Sequence, residues 1–320
     1  MLVNKSYVFR LYPNNYQKEI TNKTIGCTRY VYNYYLDLKN KYYRQLNINY
    51  NLKDIKHNLV SLKEELPWLK EVDSTSLTNS LEDLDTSFTN FFEKRSNYPR
   101  FKSKGSKDSY KTDCIRSTYK NNSYSNIIVD LNKKTIKLPK LGIIPIRGYR
   151  NKDTFDCHIY NATISKVGTK YYVSVNVLEE INIINDLTNY AIGIDIGIKN
   201  EVVTSDGVKY QKIKIDRIEK RIKGLSKAIA RCQKGSNNRI KIKNKITRLY
   251  QKIRNIRKYY IHEITTKIVR ENKIIVSETL SSKELIKQSN TKSLTKNILN
   301  SSFSEITRQL KYKCKSYNKE

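Results

Sequence analysis

The chain has 320 residues, and its 62 Lys+Arg against 30 Asp+Glu give a formal net charge of +32. That length allows two or three domains, each with its own core. A compact body so charged repels itself, so a polyanionic partner with rapid, salt-sensitive association is expected; no run of about 18 apolar residues occurs, so no transmembrane helix is indicated.

Residues 2–12 (LVNKSYVFRLY) read as a strand ending at Pro13. Pro13-Asn14-Asn15 then opens a long helix, with Ile20, Cys27, Val31, Tyr34, Leu38 and Tyr42 at helical spacing. A second helix is expected near Leu52–Glu65, broken by Pro67. A third starts after an Asp73/Ser74 cap and carries the stripe Leu77, Leu81, Leu84, Phe88, Phe91. The stripe reads as a core face. The opposite face (Thr75, Ser76, Thr78, Asn79, Glu82, Asp83) is polar but not basic.

The stretch Tyr98–Lys111 (YPRFKSKGSKDSYK) reads as an exposed basic loop able to lie along a phosphate backbone. Short alternating segments follow: SNIIVDL, TIKLPKLGIIPI, HIYNATISKV and KYYVSVNVL, with a tight turn at Val167-Gly168-Thr169-Lys170. A small β-barrel or sandwich that pairs with the N-terminal strand fits this pattern, and the helices of 14–95 are then an insertion into it or an extension of it.

Residues 181–189 form a polar link. The run Tyr190–Gly197 (YAIGIDIG) has buried-strand character, and Glu201–Tyr210 (EVVTSDGVKY) is a hairpin turning at Asp206-Gly207. Two long basic helices come next. Their seams are Ile218, Ile222, Leu225, Ile229 and Ile246, Leu249, Ile253, Ile256, Tyr260, joined by the loop QKGSNN. Acids are scarce there, so a phosphate-facing surface is expected. Lys273–Ser277 is a short buried strand, 282–300 a polar loop or weak helix, and Ser302–Tyr317 an amphipathic last helix through Phe303, Ile306, Leu310 and Cys314.

The chemistry centres on Asp195. An acid inside an apolar strand is costly to bury unless it is paired or bound to a cation. Glu278 ends another apolar strand. If the two strands are parallel neighbours, both acids emerge on one edge, and two converging carboxylates suit Mg²⁺, which in pairs can support phosphodiester hydrolysis. A turn or cap role for Asp195, and a plain surface acid at Glu278, are the rival readings. No convincing third acid is evident: Asp206 sits in the hairpin turn and Glu305 is a weak candidate on the last helix. Cys27, Cys114, Cys157, Cys232 and Cys314 include no CxxC pair, so neither a zinc ribbon nor a disulfide framework is expected. His57, His158 and His262 have no metal spacing. The 25 Tyr suit core edges and base stacking alike. No signal-peptide core is present, so a cytoplasmic, nucleoid-associated location is expected.

At five ordered segments the sequence resembles the TnpB proteins of bacterial insertion sequences, RNA-guided nucleases related to type V CRISPR effectors. The segments are Phe9–Lys39, Trp68–Lys104, LPKLGIIPI, Gly193–Gly207 and Ile274–Leu280. The resemblance implies an α+β multidomain chain. A wedge β-barrel would span 1–13 and 97–180, with a helical recognition lobe inserted at 14–96. A RuvC/RNase H-like α/β domain would span 189–320, with a helical hairpin at 216–272. It also implies partners: a guide RNA from the transposon end or an adjacent locus, and double-stranded DNA beside a short flanking motif. Asp195 and Glu278 take the positions of the first two metal-binding acids. Tyr50, Ser76 and Asn79 fall where the family reads the flanking motif, and Arg10, Arg100, Lys102 and Lys104 are candidate contacts to the nucleic-acid backbone.

The family continues past the last helix into a zinc ribbon and an Arg-Asp-x-Asn segment with the third acid. This sequence has neither, so no zinc is expected. Loss of one acid from such a cluster should slow cleavage by several orders of magnitude. The expectation is therefore a cleavage-deficient protein that occupies its target and represses transcription, and not a working enzyme. An active Mg²⁺-dependent endonuclease completed by a further C-terminal segment, and a decayed transposon product, are the alternatives. Oligomeric state is left open.

Overall fold

The computed structural model describes residues 2–47, 50–105, 107–119, 122–148, 155, 157–180, 190–278, 282–289, 291, 294–295, 298 and 301–319. The chain divides into two units, Leu2–Glu180 and Ile181–Glu320. The link expected over 181–189 lies outside the described residues.

In the first unit, β1 (Leu2–Leu11) leads into α1 (Asn15–Leu46). A reciprocal cap starts the helix: Gln17 N donates to Asn14 Oδ1 at 2.8 Å, and Asn14 N donates to Gln17 Oε1 at 3.0 Å. The Gln17 side chain then donates to the carbonyls of Leu141 and Ile143, both at 2.9 Å, and so ties the helix start to a distant hairpin. The chain continues through α2 (Leu52–Glu65), a 3₁₀ turn (Pro67–Glu71) and α3 (Ser74–Phe92). Asp73 caps α3 by accepting from Ser76 N at 3.1 Å.

The strands β2 (Ser109–Asp113), β5 (Ile128–Asp130), β6 (Thr135–Leu138), β7 (Gly142–Arg147), β8 (His158–Val167) and β9 (Lys170–Glu180) join β1 in one seven-stranded sheet, in the order β2-β8-β9-β1-β7-β6-β5. β1 pairs antiparallel with β9 from Leu2 to Leu11 and with β7 at Arg10 and Leu11. β3 (Arg116–Tyr119) and β4 (Asn122–Ser125) form a separate hairpin that sequence reading had not separated out.

The expected closed barrel is not found among the described residues: the sheet has two edges, β2 and β5. The β2 edge meets a helix instead of a strand. Thr75 Oγ1 at the start of α3 accepts from Asp113 N at 3.2 Å and lies 3.1 Å from Thr112 Oγ1, which satisfies an edge donor without β-pairing. The sheet still buries one face in a single core, with Phe9, Ile136, Ile144, Ile164, Val173 and Val175 among its members. A second core joins Val31, Tyr35, Leu36, Ile55, Leu59, Leu77, Leu81 and Leu84 of the helices. α1 serves both: Ile20 and Ile25 pack on the sheet core, and Cys27 onward pack on the helical core.

In the second unit β10 (Ala191–Asp195), β11 (Asn200–Thr204), β12 (Lys209–Gln211) and β13 (Ile274–Ser277) form a sheet in the order β12-β11-β10-β13. β10 and β11 are antiparallel, whereas β10 and β13 are parallel. A parallel neighbour needs a long crossover. Here α4 (Asp216–Ala230) and the 35-residue α5 (Asn237–Glu271) supply it. After β13 come α6 (Ser282–Gln288) and α7 (Phe303–Tyr317). Ile192, Ile194 and Val202 pack with Ile261, Ile264 and Ile268 of α5 and Phe303, Ile306 and Leu310 of α7. The α4–α5 seam centres on Ile215, Ile222 and Ile253, with Ile218, Ile246 and Leu249 beside them. Tyr260 belongs instead with the sheet core, and its hydroxyl donates to Gln211 O at 2.6 Å.

Candidate carboxylate edge and nucleic-acid interface

The parallel register runs Ala191↔Ile274, Ile192↔Ile275, Gly193↔Val276 and Ile194↔Ser277. The next residues in line are Asp195 and Glu278. Side chains alternate between the faces of a strand, so Gly193, Asp195, Val276 and Glu278 share the face opposite the buried Ile192 and Ile194. Both acids are exposed, and neither carboxylate has a partner among the described residues. Two adjacent negative charges without a cation are notable in a chain of net charge +32.

Small residues shape this edge. Gly193 N donates to Ser205 Oγ at 3.1 Å, and Ser205 N returns a bond to Gly193 O at 2.9 Å. A Cβ added at Gly197 would lie 3.2 Å from Asn200 O, so the turn out of β10 has no room for a larger residue.

Three other acids of this unit, Asp206, Glu305 and Glu201, have partners of their own. Asp206 accepts from the Thr204 hydroxyl and from Val208 N across the β11–β12 turn, and these bonds hold its carboxyl below the usual range. Glu305 receives Arg308 Nε at 2.8 Å, Arg308 Nη2 at 2.7 Å and Gln309 Nε2 at 2.8 Å, with the Arg308 bonds the main cause of its lowered pKa. Glu201 was not singled out from sequence. It is 6% exposed on β11 and accepts from Ser302 N at 3.3 Å, at the start of α7, which lacks a side-chain cap of its own. An acid inside an apolar strand, the signal that exposed Asp195, also marks Glu201. Among the described residues no group of three His, Cys, Asp or Glu could hold a metal ion.

The α4–α5 hairpin is strongly basic. Residues 220–262 contain 15 Lys and Arg and no acid. Most of these cations are exposed, including Lys241, Lys243, Lys245, Lys252, Arg254 and Lys258. In the Tyr98–Lys111 stretch, Arg100 and Lys104 are exposed, but Lys102 is half-buried. Its ammonium lies 3.8 Å from the Tyr32 ring centroid and 3.5 Å from Asp83 Oδ2. Its backbone exchanges bonds with Asn33 at 2.8 and 3.0 Å, and burial lowers its pKa. Arg10 is half-buried on β1.

Tyr50 is half-buried and stacks on Tyr42, with ring centroids 5.2 Å apart and planes 11° apart. Ser76 and Asn79 lie on α3 at 1% and 3% exposure. Ser76 Oγ donates to Asp73 O at 2.6 Å. Asn79 Nδ2 donates to Thr75 O at 2.8 Å and Asp113 Oδ2 at 2.7 Å, while its Oδ1 is buried without a partner among the described residues. The structure thus buries Ser76 and Asn79 on α3, with Asn79 bonded to Asp113 of β2, and packs Tyr50 against the helical core.

Residues 174–289 match a family profile described as "Probable transposase" of the OrfB/IS605 type, and residues 1–47 match one described as "Helix-turn-helix domain". In this chain that second segment is a strand followed by a single 32-residue helix. The "Putative RNA-guided DNA endonuclease InsQ" of Escherichia coli K12 is 29% identical over 97% of this chain and 77% of its own length. A Streptomyces pristinaespiralis protein with the same RNA-guided endonuclease name is 30% identical over 99% of this chain and 76% of its own. A solved Cas12f1–sgRNA–target DNA complex aligns over 100% of this chain and 88% of that chain, with 13% identity and a TM-score of 0.47. The chain belongs to the TnpB family.

Proposed function

We propose that this protein binds a guide RNA from its transposon end or an adjacent locus and, through base pairing, a double-stranded DNA target beside a short flanking motif. The observation that carries the reading is the parallel register that sets Asp195 beside Glu278 on the open face of a sheet, within a chain whose relatives over nearly its whole length are named RNA-guided DNA endonucleases. The electrostatics support it: a long acid-free basic hairpin suits a polyanion, whose release of counterions would drive binding.

Asp195 and Glu278 fit a divalent cation. Both are exposed, both lack a described partner, and both present the hard oxygen donors that Mg²⁺ prefers. They would hold it at the ends of β10 and β13, where the ion would supply charge stabilisation at a phosphodiester. The chain's own part is to fix the spacing of the two acids through the β10–β13 register and to leave their face open to a strand of nucleic acid.

The occupied state of Asp206, Glu201 and Glu305 supports target occupancy without cleavage, and so repression. A second reading, an active endonuclease, is favoured by the names that the relatives carry. Flanking-motif reading falls first to Tyr50; Ser76 and Asn79 would need to leave Asp73 and Asp113 to reach DNA.

The test begins with RNA that copurifies with the protein. One abundant RNA with a constant scaffold and a variable 3′ guide is expected, followed by tight binding of a matched duplex without cutting in Mg²⁺. Bulk cellular RNA alone would overturn guidance. Cleavage of the matched duplex that is lost in Asp195→Ala would replace occupancy by the endonuclease reading.

A further inference from the structure

Arg10 of β1 and Arg147 of β7 are direct cross-strand partners in the seven-stranded sheet. Like charges directly opposite each other destabilise a strand pair. A protein usually relieves such a pair with a neighbouring carboxylate, yet neither guanidinium has an acidic partner among the described residues. Aromatic rings hold them instead. Both guanidinium carbons lie over the Tyr12 ring, at 5.3 Å for Arg10 and 5.5 Å for Arg147. Arg10 also lies 5.3 Å from the Tyr172 ring centroid, and its Nη1 donates to the Tyr172 hydroxyl at 3.5 Å.

Ring faces stabilise a cation but do not use its N–H donors. Arg10 Nε is buried with no hydrogen-bond partner among the described residues, an arrangement that costs free energy unless an acceptor arrives. Arg147 is exposed and precedes Gly148, whose φ of +100° turns the chain close against β1; a Cβ there would lie 3.7 Å from Val8 O. Tyr12, beside both guanidiniums, is 45% exposed, so the cluster opens to solvent. Two adjacent guanidiniums with spare donors match the oxygens of a phosphate, which arginine binds through its planar fork.

We propose that Arg10, Arg147, Tyr12 and Tyr172 form a clamp for a single phosphodiester of the bound polynucleotide. This rests on the reading above that the chain binds nucleic acid, and it adds a defined point of contact outside the basic hairpin. The clamp supplies the missing anion between two cross-strand cations, so binding and folding use the same four side chains in opposite senses. Free, the pair repels; occupied, the phosphate screens it.

The experiment uses the full chain and Arg147→Gln, with Lys137→Gln as a control at another exposed position, on β6. Affinity for the copurified RNA and for a DNA duplex is measured separately against salt, and thermal midpoints are read with and without inorganic phosphate. For one of the two polymers, Arg147→Gln is expected to weaken binding about 10-fold at 0.1 M salt and to reduce the logarithmic salt slope by roughly 0.7–0.9, one phosphate contact. Lys137→Gln should leave that slope unchanged. Without phosphate the Arg147→Gln midpoint should equal or exceed that of wild type, and the rise that phosphate gives wild type should vanish. Unchanged slopes for both polymers, a matching loss in the Lys137→Gln control, or a lowered midpoint would each overturn the clamp. A phosphate-dependent rise in a wild-type protein that binds neither polymer would leave an inorganic-anion site only, and would overturn the functional reading with it.

Discussion

The two larger sheets of this protein each hold a pair of like charges on neighbouring strands, with opposite signs. In the first unit Arg10 faces Arg147 across antiparallel β1 and β7; in the second, register sets Asp195 beside Glu278 at the ends of parallel β10 and β13. Elsewhere some opposite charges do pair: Arg29 meets Asp108 at 3.1 Å, Lys56 meets Glu82 at 2.8 Å, and Lys70 meets Glu64 at 2.7 Å. On the readings proposed above, such like-charge neighbours are places for an external counterion, and the sign names the class expected: a phosphate oxygen for the arginines, a divalent cation for the carboxylates.

The comparison can be broken from several sides. The largest effect is expected away from both pairs, on the basic hairpin. Replacing Lys241, Lys243, Lys245 and Lys252 together by Gln should weaken polynucleotide binding by about 10²-fold at 0.1 M salt, with a correspondingly shallower salt slope in a binding titration. If it does not, the hairpin is a solvated face and the arginine pair carries more of the binding than its size suggests.

Next comes Asn79→Ala. Loss of a charge-assisted bond to Asp113 beneath the β2 edge should cost about 1–3 kcal/mol in denaturant unfolding. A variant of full stability that binds DNA more weakly would instead place Asn79 at the DNA. The carboxylate pair is sharpened by Mg²⁺ itself. At 10 mM, with a Kd near 1 mM, the ion should stabilise wild type by about 1.4 kcal/mol, and Asp195→Asn should abolish the gain while raising stability slightly in metal-free buffer. An equal gain in both proteins would remove the pair as the binding site. For the arginines, Arg147→Glu turns repulsion into attraction and should add about 0.2–1 kcal/mol to stability, read as a higher thermal midpoint.

The smallest effect concerns Cys27. Burial pushes its thiol up to about 11, so at pH 8 only about a thousandth is thiolate, and it should stay silent to a thiol reagent until the protein unfolds.

Much of this architecture was legible beforehand because it is locally encoded. The caps at Asn14 and Asp73, the Pro67 break, the Val167–Lys170 turn and the stripe from Leu77 to Leu84 each depend on a few neighbouring residues whose backbone preferences agree. Asp195 and Glu278 stood out because an acid in or beside an apolar strand contradicts its surroundings. Ser76 and Asn79 were harder. On the helix alone they lie opposite the apolar stripe and look solvent-facing, but α3 packs that polar face against the β2 edge, where backbone donors need partners. Lys102, counted among exposed loop cations, turns onto Tyr32 and Asp83 for the same reason.

By itself, then, the sequence determined most of the strands and helices, the excess of positive charge, the candidacy of the two acids and the family to which the chain belongs. Tertiary structure alone decided that the first sheet has edges instead of closing, that Asn79 is buried, that Glu201 meets the start of α7, and that Arg10 meets Arg147. The reason is sequence distance. Hydrophobic period and turn chemistry act over a few residues. Cross-strand register joins β1 to β7 and β9 across most of the unit, and only the packed sheet selects which side chains become neighbours.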